Sequence, residues 1–340
     1  MDRGRGSQAA AAPGRRGRQW QARTHRDPTR EAGSRRARLR SQSSSCRRHA
    51  RSAPEGRSAV SRKRSDEPQA STWLRHFGLT SAPFDKDIDD DALWLPESKQ
   101  ALVDDLVEAV EARQHALLVG EPGVGKTCTL RALRRRLPES GYRLTYCHNA
   151  SLGRRDFYRQ LCVALGLSSR ASAAGLFHLV STHVQELGRE RVHPVLLLDE
   201  AHLLHHDVLA HLHVLANYQW DQKPLLSLVL VGLPELWNHL ALGRNRSLWT
   251  RIHCRRSIEG AAVADTSEYV SYRLARSGTN KPLLTSDALT ILHEATQGQL
   301  RDIDRLVGNA LRQAARRKLA QVDRALLEQV LERDQQPGWS

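Results

Sequence analysis

The sequence predicts an α/β protein in which a parallel sheet, covered by helices on both faces, is followed by an all-helical segment. Short apolar runs of strand length alternate with helical patterns between residues 115 and 258. A glycine-rich loop follows the first of these runs and opens a helix. From Val263 onward every apolar pattern is helical. Because buried strands joined by crossover helices form parallel sheets, these observations predict the two-part architecture.

Apolar periodicity predicts the individual elements in chain order. Aromatic and aliphatic residues between Trp73 and Leu95 predict a folded lead-in. Leu102 and Leu106 have helical spacing, whereas the run over 195–198 has the length of a buried strand. We predict strands over 115–119, 142–147, 195–198, 225–231 and 253–258, and helices over 98–114, 127–137, 155–165, 173–187, 203–217, 234–242, 265–277, 286–296, 300–318 and 322–333.

Three regions follow from this pattern. Residues 71–260 are predicted to form the α/β core with its lead-in, residues 261–335 a helical lid, and residues 1–70 a disordered segment. The first 70 residues carry 19 Lys or Arg against 6 Asp or Glu, a net charge of +13, and bury too little apolar surface to fold. The remaining 270 residues carry 33 basic against 31 acidic side chains.

Three interpretations of the basic segment stay open. It is a polybasic arm that binds nucleic-acid phosphates through counterion release, a solvated tail without a specific partner, or a stretch upstream of the true start. Met1 is the only methionine in the chain, so a later start would use a different codon.

Composition excludes several classes of protein. No run approaches the ~20 apolar residues of a membrane span, and the N-terminus lacks the apolar region of a secretory signal. The five cysteines form no CxxC pair, which argues against a disulfide framework or a zinc knuckle. We therefore expect a soluble, cytoplasmic protein with reduced thiols.

Residues 120–127, Gly-Glu-Pro-Gly-Val-Gly-Lys-Thr, predict a cradle for nucleotide phosphates. Glycines let backbone N–H groups approach a phosphate chain, and the following helix presents its positive N-terminus. Lys126 is expected to reach the β- and γ-phosphates of ATP, and Thr127 to coordinate Mg²⁺. The strand before the loop and the helix after it distinguish this motif from an ordinary glycine-rich turn. The expected nucleotide-binding residues are Gly120, Glu121, Pro122, Gly123, Val124, Gly125, Lys126, Thr127 and Cys128.

A second motif is an apolar strand that ends in two carboxylates, Asp199 and Glu200. Parallel strands place their carboxyl ends at the edge of the sheet where ligands bind. Asp199 is expected to hold Mg²⁺ through water, and Glu200 to orient and polarise the attacking water. The alternative, a strand end with helix-capping acids, is weakened because both motifs occur in one chain. The strand over 225–231 is expected beside the two motif strands.

Histidines are concentrated between residues 202 and 213, where five occur. His202 and His206 share a helical face, but Leu203 stands where a zinc-protease HExxH string has Glu. We therefore interpret His205 and His206 as solvated residues at the start of a helix, with a metal site as the weaker alternative.

Together these motifs resemble a known family. Residues 77–84, Phe-Gly-Leu-Thr-Ser-Ala-Pro-Phe, resemble the FGL-x-x-x-PF opening of ExeA-type AAA+ ATPases. The glycine loop and the Asp-Glu-Ala-His string continue the resemblance, which covers about residues 73–333. Further matching strings are Arg-Asp-Phe-Tyr-Arg-Gln-Leu at 155–161, Val-Leu-Val-Gly-Leu-Pro-Glu-Leu at 229–236, Thr-Arg-Ile at 250–252 and Gly-Gln-Leu-Arg-Asp-Ile at 298–303.

The resemblance implies an ATPase that assembles as a homo-oligomeric ring or filament. An arginine that reaches the γ-phosphate in a neighbouring subunit stabilises transition-state charge. Among Arg246, Arg251 and Arg255 we favour Arg251, with an ordinary surface or salt-bridged arginine as the alternative. Arg301 matches the sensor position of the lid and is expected to reach back to the same nucleotide.

Two positions depart from the family pattern. Leu233 stands where AAA+ ATPases have a polar residue that senses the γ-phosphate, so the resemblance leaves the hydrolysis rate open. The Pro-Arg-Arg of the lid string is replaced by Leu-Arg-Asp at 300–302, which retains Arg301 and loses the second arginine.

The resemblance also implies two branches of function. Secretion-associated members carry a membrane span and a cell-wall-binding domain after the ATPase core, whereas short members similar to TniB, TnsC and IstB-like helpers bind DNA with ATP and act with a transposase. Since residue 340 directly follows the lid, we expect the transposon branch, with double-stranded DNA and a transposase as partners. The alternatives are a cytoplasmic ATPase that assists assembly of a secretion or envelope complex, and a nucleotide switch with little hydrolysis.

Overall fold

The computed structural model describes residues 72–148, 152–218 and 222–335, and the segment predicted to be disordered, residues 1–70, lies outside them. Five strands and twelve α-helices make up the described part of the chain. The strands are β1 His115–Gly120, β2 Tyr142–His148, β3 His193–Asp199, β4 Ser227–Gly232 and β5 Ile252–Ile258. The helices are α1 Thr72–Phe77, α2 Glu97–Glu111, α3 Lys126–Arg136, α4 Arg154–Ala164, α5 Ala173–Arg189, α6 His206–Leu215, α7 Glu235–Ala241, α8 Arg246–Trp249, α9 Val263–Arg276, α10 Ser286–Thr296, α11 Leu300–Arg316 and α12 Arg324–Gln335.

The five strands form one parallel sheet in the order β2-β3-β4-β1-β5. β4 therefore lies between β1, which leads into the glycine loop, and β3, which ends in Asp199. This confirms the prediction that the strand over 225–231 lies beside both motif strands. The register pairs Val119 with Gly232 and Leu198 with Leu230, so the motif strands end at the same edge of the sheet.

Apolar side chains of the strands alternate between two cores, one on each face of the sheet. Leu117 and Leu196 pack in one core with residues of α4, α5 and α6. Leu118 and Leu197 pack in the other with residues of α2 and α3. This period of two, with both faces buried, is why the strands consist of continuous apolar runs.

The helical segment has a third core, built from α9 to α12, which also takes in the lead-in. Phe77, Leu79 and Trp94 are buried in it, rather than against the sheet. Buried Arg273 ties the lead-in to α9, because its Nε donates to the carbonyl of Pro83 at 2.6 Å and its Nη2 to that of Asp85 at 2.7 Å. The lead-in therefore packs with the lid, although it is adjacent in sequence to the α/β core.

The prediction of one helix over 203–217 is wrong at its start. Glu200 adopts a left-handed conformation, with φ of 53°, and a single 3-10 turn follows at Ala201–Leu203. α6 begins only at His206, where the Nδ1 of His205 accepts a hydrogen bond from the N–H of Asp207. The short helix α8 was not predicted. None of the helices in the described ranges combines the length and the hydrophobicity of a membrane-spanning segment.

Candidate nucleotide site

The glycine loop connects the end of β1 to the start of α3 by a backbone path that only glycine accepts. Gly123 and Gly125 have φ of +84° and +106°, a region that side chains with a Cβ rarely adopt. At Gly120 a Cβ would lie 2.5 Å from the carbonyl oxygen of Ile258. The loop then opens α3, whose first N–H groups have no intrahelical carbonyl. The local geometry is that of an anion cradle.

Lys126 is buried at the first position of α3, and its ammonium group lies over the loop. Its Nζ donates to the carbonyls of Gly120 at 2.8 Å and Glu121 at 2.9 Å. Burial lowers the pKa of Lys126, and the charges of Glu200 and Asp199 oppose that shift. Thr127 is exposed beside it. The cation of the loop and the two carboxylates of β3 therefore share one electrostatic environment.

Asp199 is buried, and both of its carboxylate oxygens accept hydrogen bonds. The hydroxyl of Tyr146 on β2 donates to Oδ2 at 2.8 Å, and the backbone N–H of Glu200 donates to Oδ1 at 2.9 Å. Tyr146 is 47% exposed, but partial desolvation of its phenol and the hydrogen bond to Asp199 raise its pKa, so the phenol keeps its proton. The orientation of the Asp199 carboxylate is thus fixed by the protein.

His202 lies between the carboxylates of β3 and the end of β4. Its side chain is 6% exposed, and its Nδ1 accepts a hydrogen bond from the backbone N–H of Leu233 at 3.3 Å. The same nitrogen lies 3.6 Å from Oε2 of Glu200, and Nε2 faces Oε1 of Glu235 at 3.9 Å. A Cβ at Gly232 would approach the ring to 3.1 Å, so a larger residue there would have to displace the imidazole by a few tenths of an ångström. One imidazole thereby contacts both elements that flank the expected γ-phosphate position.

The first turn of α11 closes over the glycine loop. The N–H of Arg301 donates to the carbonyl of Gly123 at 3.3 Å, and a Cβ at Gly123 would lie 2.9 Å from Cβ of Arg301. In the orientation that satisfies its amide, Gln299 donates to the carbonyl of Pro122 at 3.1 Å. The positive charge of Arg301 also acts to lower the pKa of Lys126. The lid and the loop are therefore in direct contact.

Lys99 supports the glycine loop from the side of α2. It is 3% exposed, and its Nζ donates to the carbonyl of Val124 at 2.7 Å. Burial lowers the pKa of Lys99 to about 8, although the nearby groups of Cys128 and Asp265 oppose the shift. Burial likewise raises the pKa of the Cys128 thiol. A single buried ammonium group therefore anchors the middle of the loop.

Comparison with known proteins agrees with this geometry. Residues 108–240 match the family described as AAA domain. The chain is 32% identical over 242 residues to General secretion pathway protein A of Aeromonas hydrophila, a match that covers 70% of this chain and 44% of that protein. The chain is an ExeA-type AAA+ protein. It spans less than half the length of this curated relative.

Solved structures with a similar fold include proteins that share few residues with this ExeA-type chain. Cdc6p of Pyrobaculum aerophilum has a TM-score of 0.55 at 16% identity, with 69% of this chain and 68% of that one covered. ORC1 of Aeropyrum pernix, solved in complex with DNA, has a TM-score of 0.53 at 20% identity, with 71% and 66% covered. At these identities the similarity concerns the fold, which is a P-loop AAA+ core followed by helices.

The side chains at this edge of the sheet suit a magnesium nucleotide. The glycine loop and the start of α3 offer backbone donors to phosphate, and Lys126 adds a cation. Thr127 and Asp199 offer the hard oxygen ligands that Mg²⁺ prefers. Both the backbone conformation of the loop and the donor set therefore fit ATP with Mg²⁺.

Two predicted features lie away from this arrangement. Arg251 precedes β5, at the opposite edge of the sheet, and its Nη1 donates to the carbonyl of Ser247 at 2.9 Å. His205, His206 and Asp207 bring ligand atoms within 4.8 Å of one another, but all three are exposed at the start of α6. Their exposure agrees with solvated residues at a helix start.

Sequence reasoning missed Tyr146, Lys99 and the role of His202. Lys99 carried a signal, because it lies on the buried face of α2 in helical register with Val103 and Leu106. A lysine on an apolar stripe is unusual and points to a specific acceptor. Tyr146 carried no local signal, since its contact with Asp199 depends on β2 pairing with β3.

Proposed function

We propose that this ExeA-type protein binds ATP with Mg²⁺ and hydrolyses it. The observation that carries the proposal is the convergence of four parts at one edge of the sheet: the glycine loop, the carboxylates of Asp199 and Glu200, the buried Lys126, and the first turn of the lid at Arg301. Each part is supplied by a different element. Such a combination is required for phosphoryl transfer, where catalysis consists of positioning and charge stabilisation.

Each residue has a definite task in this proposal. Lys126 and the N–H groups of the loop bind the phosphates, while Thr127 and Asp199 hold the metal. Glu200, half-exposed beside Asp199, orients and polarises the attacking water. Bound ATP supplies the phosphoric anhydride, and Mg²⁺ offsets its charge. Arg301 senses the nucleotide from the lid, and Arg251 acts on the site of a neighbouring subunit in a ring or filament.

For its biological role, we propose that the protein is a cytoplasmic, DNA-associated helper that acts with a transposase. The net charge of +13 over residues 1–70 supports an affinity for nucleic-acid phosphates. ORC1 of Aeropyrum pernix, which has a similar fold, was solved in complex with DNA. In this proposal ATP binding closes the oligomer on double-stranded DNA, and hydrolysis releases it.

Filter binding to a DNA duplex, with and without ATP across a salt series, tests the DNA association. We expect ATP to raise the affinity and the affinity to fall steeply with salt, because phosphate contacts release counterions. Lys126→Ala is the matched control, and it should lose nucleotide binding together with the ATP-dependent part of DNA binding. Binding that ignores ATP, or no binding at all, contradicts the proposal.

A second candidate is a role in assembling a secretion or envelope complex. The observation that favours it is the 32% identity to General secretion pathway protein A. Affinity purification of the tagged chain from its host, in the presence of ATP, separates the two roles. Recovery of envelope proteins supports this candidate, whereas recovery of a transposase supports the DNA helper.

A third candidate is a nucleotide switch that hydrolyses little ATP, motivated by Leu233 in place of a polar sensor residue. Single-turnover hydrolysis separates this candidate from the ATPase. Glu200→Gln should retain ATP binding and stall hydrolysis. Equal turnover in the wild-type and Glu200→Gln proteins would show that Glu200 does not orient the attacking water.

A further inference from the structure

A second cleft lies on the surface of the α/β core, between α4 and the loop that leads into α5. Its volume is about 590 Å³. Two turns of α4 form one wall, and the start of α5 forms the other. The residues that line it are Arg155, Arg159, Ser169, Arg170, Ala171 and Ser172.

The cleft has an excess of positive charge. Arg155 and Arg170 are exposed, and neither has a carboxylate within ion-pair distance in the part of the chain that the structure describes. Arg159 pairs with Asp156 at 3.1 Å, and Asp156 is the one acid in residues 152–172. An exposed pair of this kind contributes little, so Arg159 remains available to a stronger anion.

The segment that forms the cleft is more basic than the average of the folded chain. Residues 71–340 carry 33 basic against 31 acidic side chains, whereas residues 152–172 carry four arginines against one aspartate. Three of those four arginines line one cleft. Three guanidinium groups that converge on one cleft indicate a surface that receives an anion.

The lining identifies the chemical class of that anion. Guanidinium groups and serine hydroxyls are the side chains that contact phosphate oxygens in nucleic-acid complexes. The hydroxyl of Ser172 accepts from the N–H of Gly175 at 3.2 Å, which leaves its O–H to donate. Ala171 is the one apolar residue of the lining, and a protein partner would need a larger apolar centre. Phosphodiester oxygens fit the lining best.

We propose that this arginine cleft binds the sugar-phosphate backbone of double-stranded DNA. The inference rests on the DNA association proposed above and adds the site. α4 is the helix that follows β2, whose Tyr146 contacts Asp199. The helix that carries Arg155 and Arg159 is thus the next element in sequence after the strand that contacts Asp199.

The test uses the full chain carrying two substitutions, Arg155→Ala and Arg170→Ala. These are the two cleft arginines that have no carboxylate within ion-pair distance among the described residues. Fluorescence anisotropy with a labelled duplex, ATP and Mg²⁺ is measured across a NaCl series. Each phosphate contact contributes about 0.9 to the slope of log affinity against log salt, so we expect a slope shallower by about 1.8. Affinity near 0.1 M salt should fall at least about tenfold, and hydrolysis without DNA should not change.

The matched control removes the same charge elsewhere, with Arg276→Ala and Arg316→Ala, two exposed arginines of the helical lid. An equal loss of affinity in the control overturns the cleft, because net charge alone would then account for the effect. A wild-type chain that binds no duplex overturns both the cleft and the DNA association. ATP-dependent binding by wild type and cleft variant alike overturns the cleft and leaves the association intact.

Poly-glutamate of matched charge distinguishes the ligand class. We expect the duplex to compete for the labelled DNA far better than poly-glutamate, because guanidinium forks and serine hydroxyls fit phosphate oxygens. If the duplex and poly-glutamate competed equally well, and the cleft variant lost both kinds of competition, the phosphodiester assignment would be overturned in favour of an acidic protein.

Discussion

At the scale of single residues, the expected metal ligand Asp199 is held in place by the protein itself. Both oxygens of Asp199 accept hydrogen bonds, from Tyr146 and from the N–H of Glu200. Each oxygen retains a lone pair for a metal-bound water, which agrees with contact through water. Glu200, which supplies that N–H, has a left-handed backbone conformation with φ of 53°.

His202 links two parts of the site that the sequence treats separately. Leu233 supplies no polar side chain at the end of β4, but its N–H donates to His202, which also lies 3.6 Å from Glu200. The imidazole therefore lies between Glu200 and the end of β4 and helps to fix their relative positions. We infer that a backbone contact to His202 takes over part of the positioning that a polar side chain at 233 would provide.

We expect His202→Asn to retain hydrolysis and His202→Ala to lose about tenfold in kcat, with little change in KM for ATP. The oxygen of Asn lies where Nδ1 of His lies and can accept from the N–H of Leu233, whereas Ala leaves that donor unpaired. Steady-state hydrolysis, with thermal unfolding as a check on folding, measures the difference. Equal kcat values for the two variants would show that the acceptor has no positioning role.

At the scale of elements, the parts predicted best are those whose signal is local. The glycine loop, the flanking β1 and α3, and the helices of the lid each follow from spacing within one segment. α10 matches its predicted bounds, 286–296, and α11 begins where predicted, at 300. The pairing of β4 with β1 and β3 was predictable because the glycine loop and Asp199 must lie at the same edge of the sheet to act on one ligand.

The features that were missed depend on contacts between distant segments. The burial of Phe77 and Trp94 against the lid involves residues almost 200 positions away, which no local pattern records. The break before α6 lies at Leu204 and His205, whose ψ angles of 132° and 143° are not helical, so the 3-10 turn does not continue into α6. Composition and periodicity therefore predict individual helices and strands, but they do not predict which of these elements pack against one another.

The contact between α2 and the glycine loop leads to a prediction about pH. Burial lowers the pKa of Lys99 to about 8, below its usual 10.5, so the unfolded chain binds the proton more tightly. The free energy of unfolding contributed by this group therefore rises with pH between about 8 and 10.5. Relative to Lys99→Met, the wild type should gain about 2 kcal/mol between pH 8 and pH 10.

Urea unfolding of both proteins at several pH values measures this difference. The comparison with Lys99→Met removes the contributions of the tyrosines and of every cysteine except Cys128, whose pKa depends on the charge of Lys99. Lys281→Met, at an exposed lysine, is the control and should follow the wild type at every pH. A constant difference between wild type and Lys99→Met would mean that Lys99 is not buried as a cation.

At the scale of the whole molecule, the position of Arg251 decides how it can act. It precedes β5, whose seven residues end at Ile258 beside the glycine loop. At a rise of about 3.3 Å per residue, Arg251 lies roughly 20 Å from that edge, beyond the reach of its side chain. If this guanidinium stabilises charge on ATP, the ATP belongs to another subunit, and the complete active unit is an oligomer.

We therefore expect Arg251→Ala and Glu200→Gln to be inactive alone and to restore hydrolysis when mixed. The Arg251→Ala variant retains Glu200, and the Glu200→Gln variant retains Arg251. An interface with the first variant on the Glu200 side and the second on the Arg251 side therefore contains both groups. In an equal, random mixture about one quarter of the interfaces have this arrangement. Hydrolysis measured over a titration of one variant into the other should pass through a maximum near equal amounts. Arg246→Ala is the matched control, and it should be active alone. A mixture as inactive as its components would mean that Arg251 acts within its own subunit or only supports the fold, since no interface would then combine the two groups.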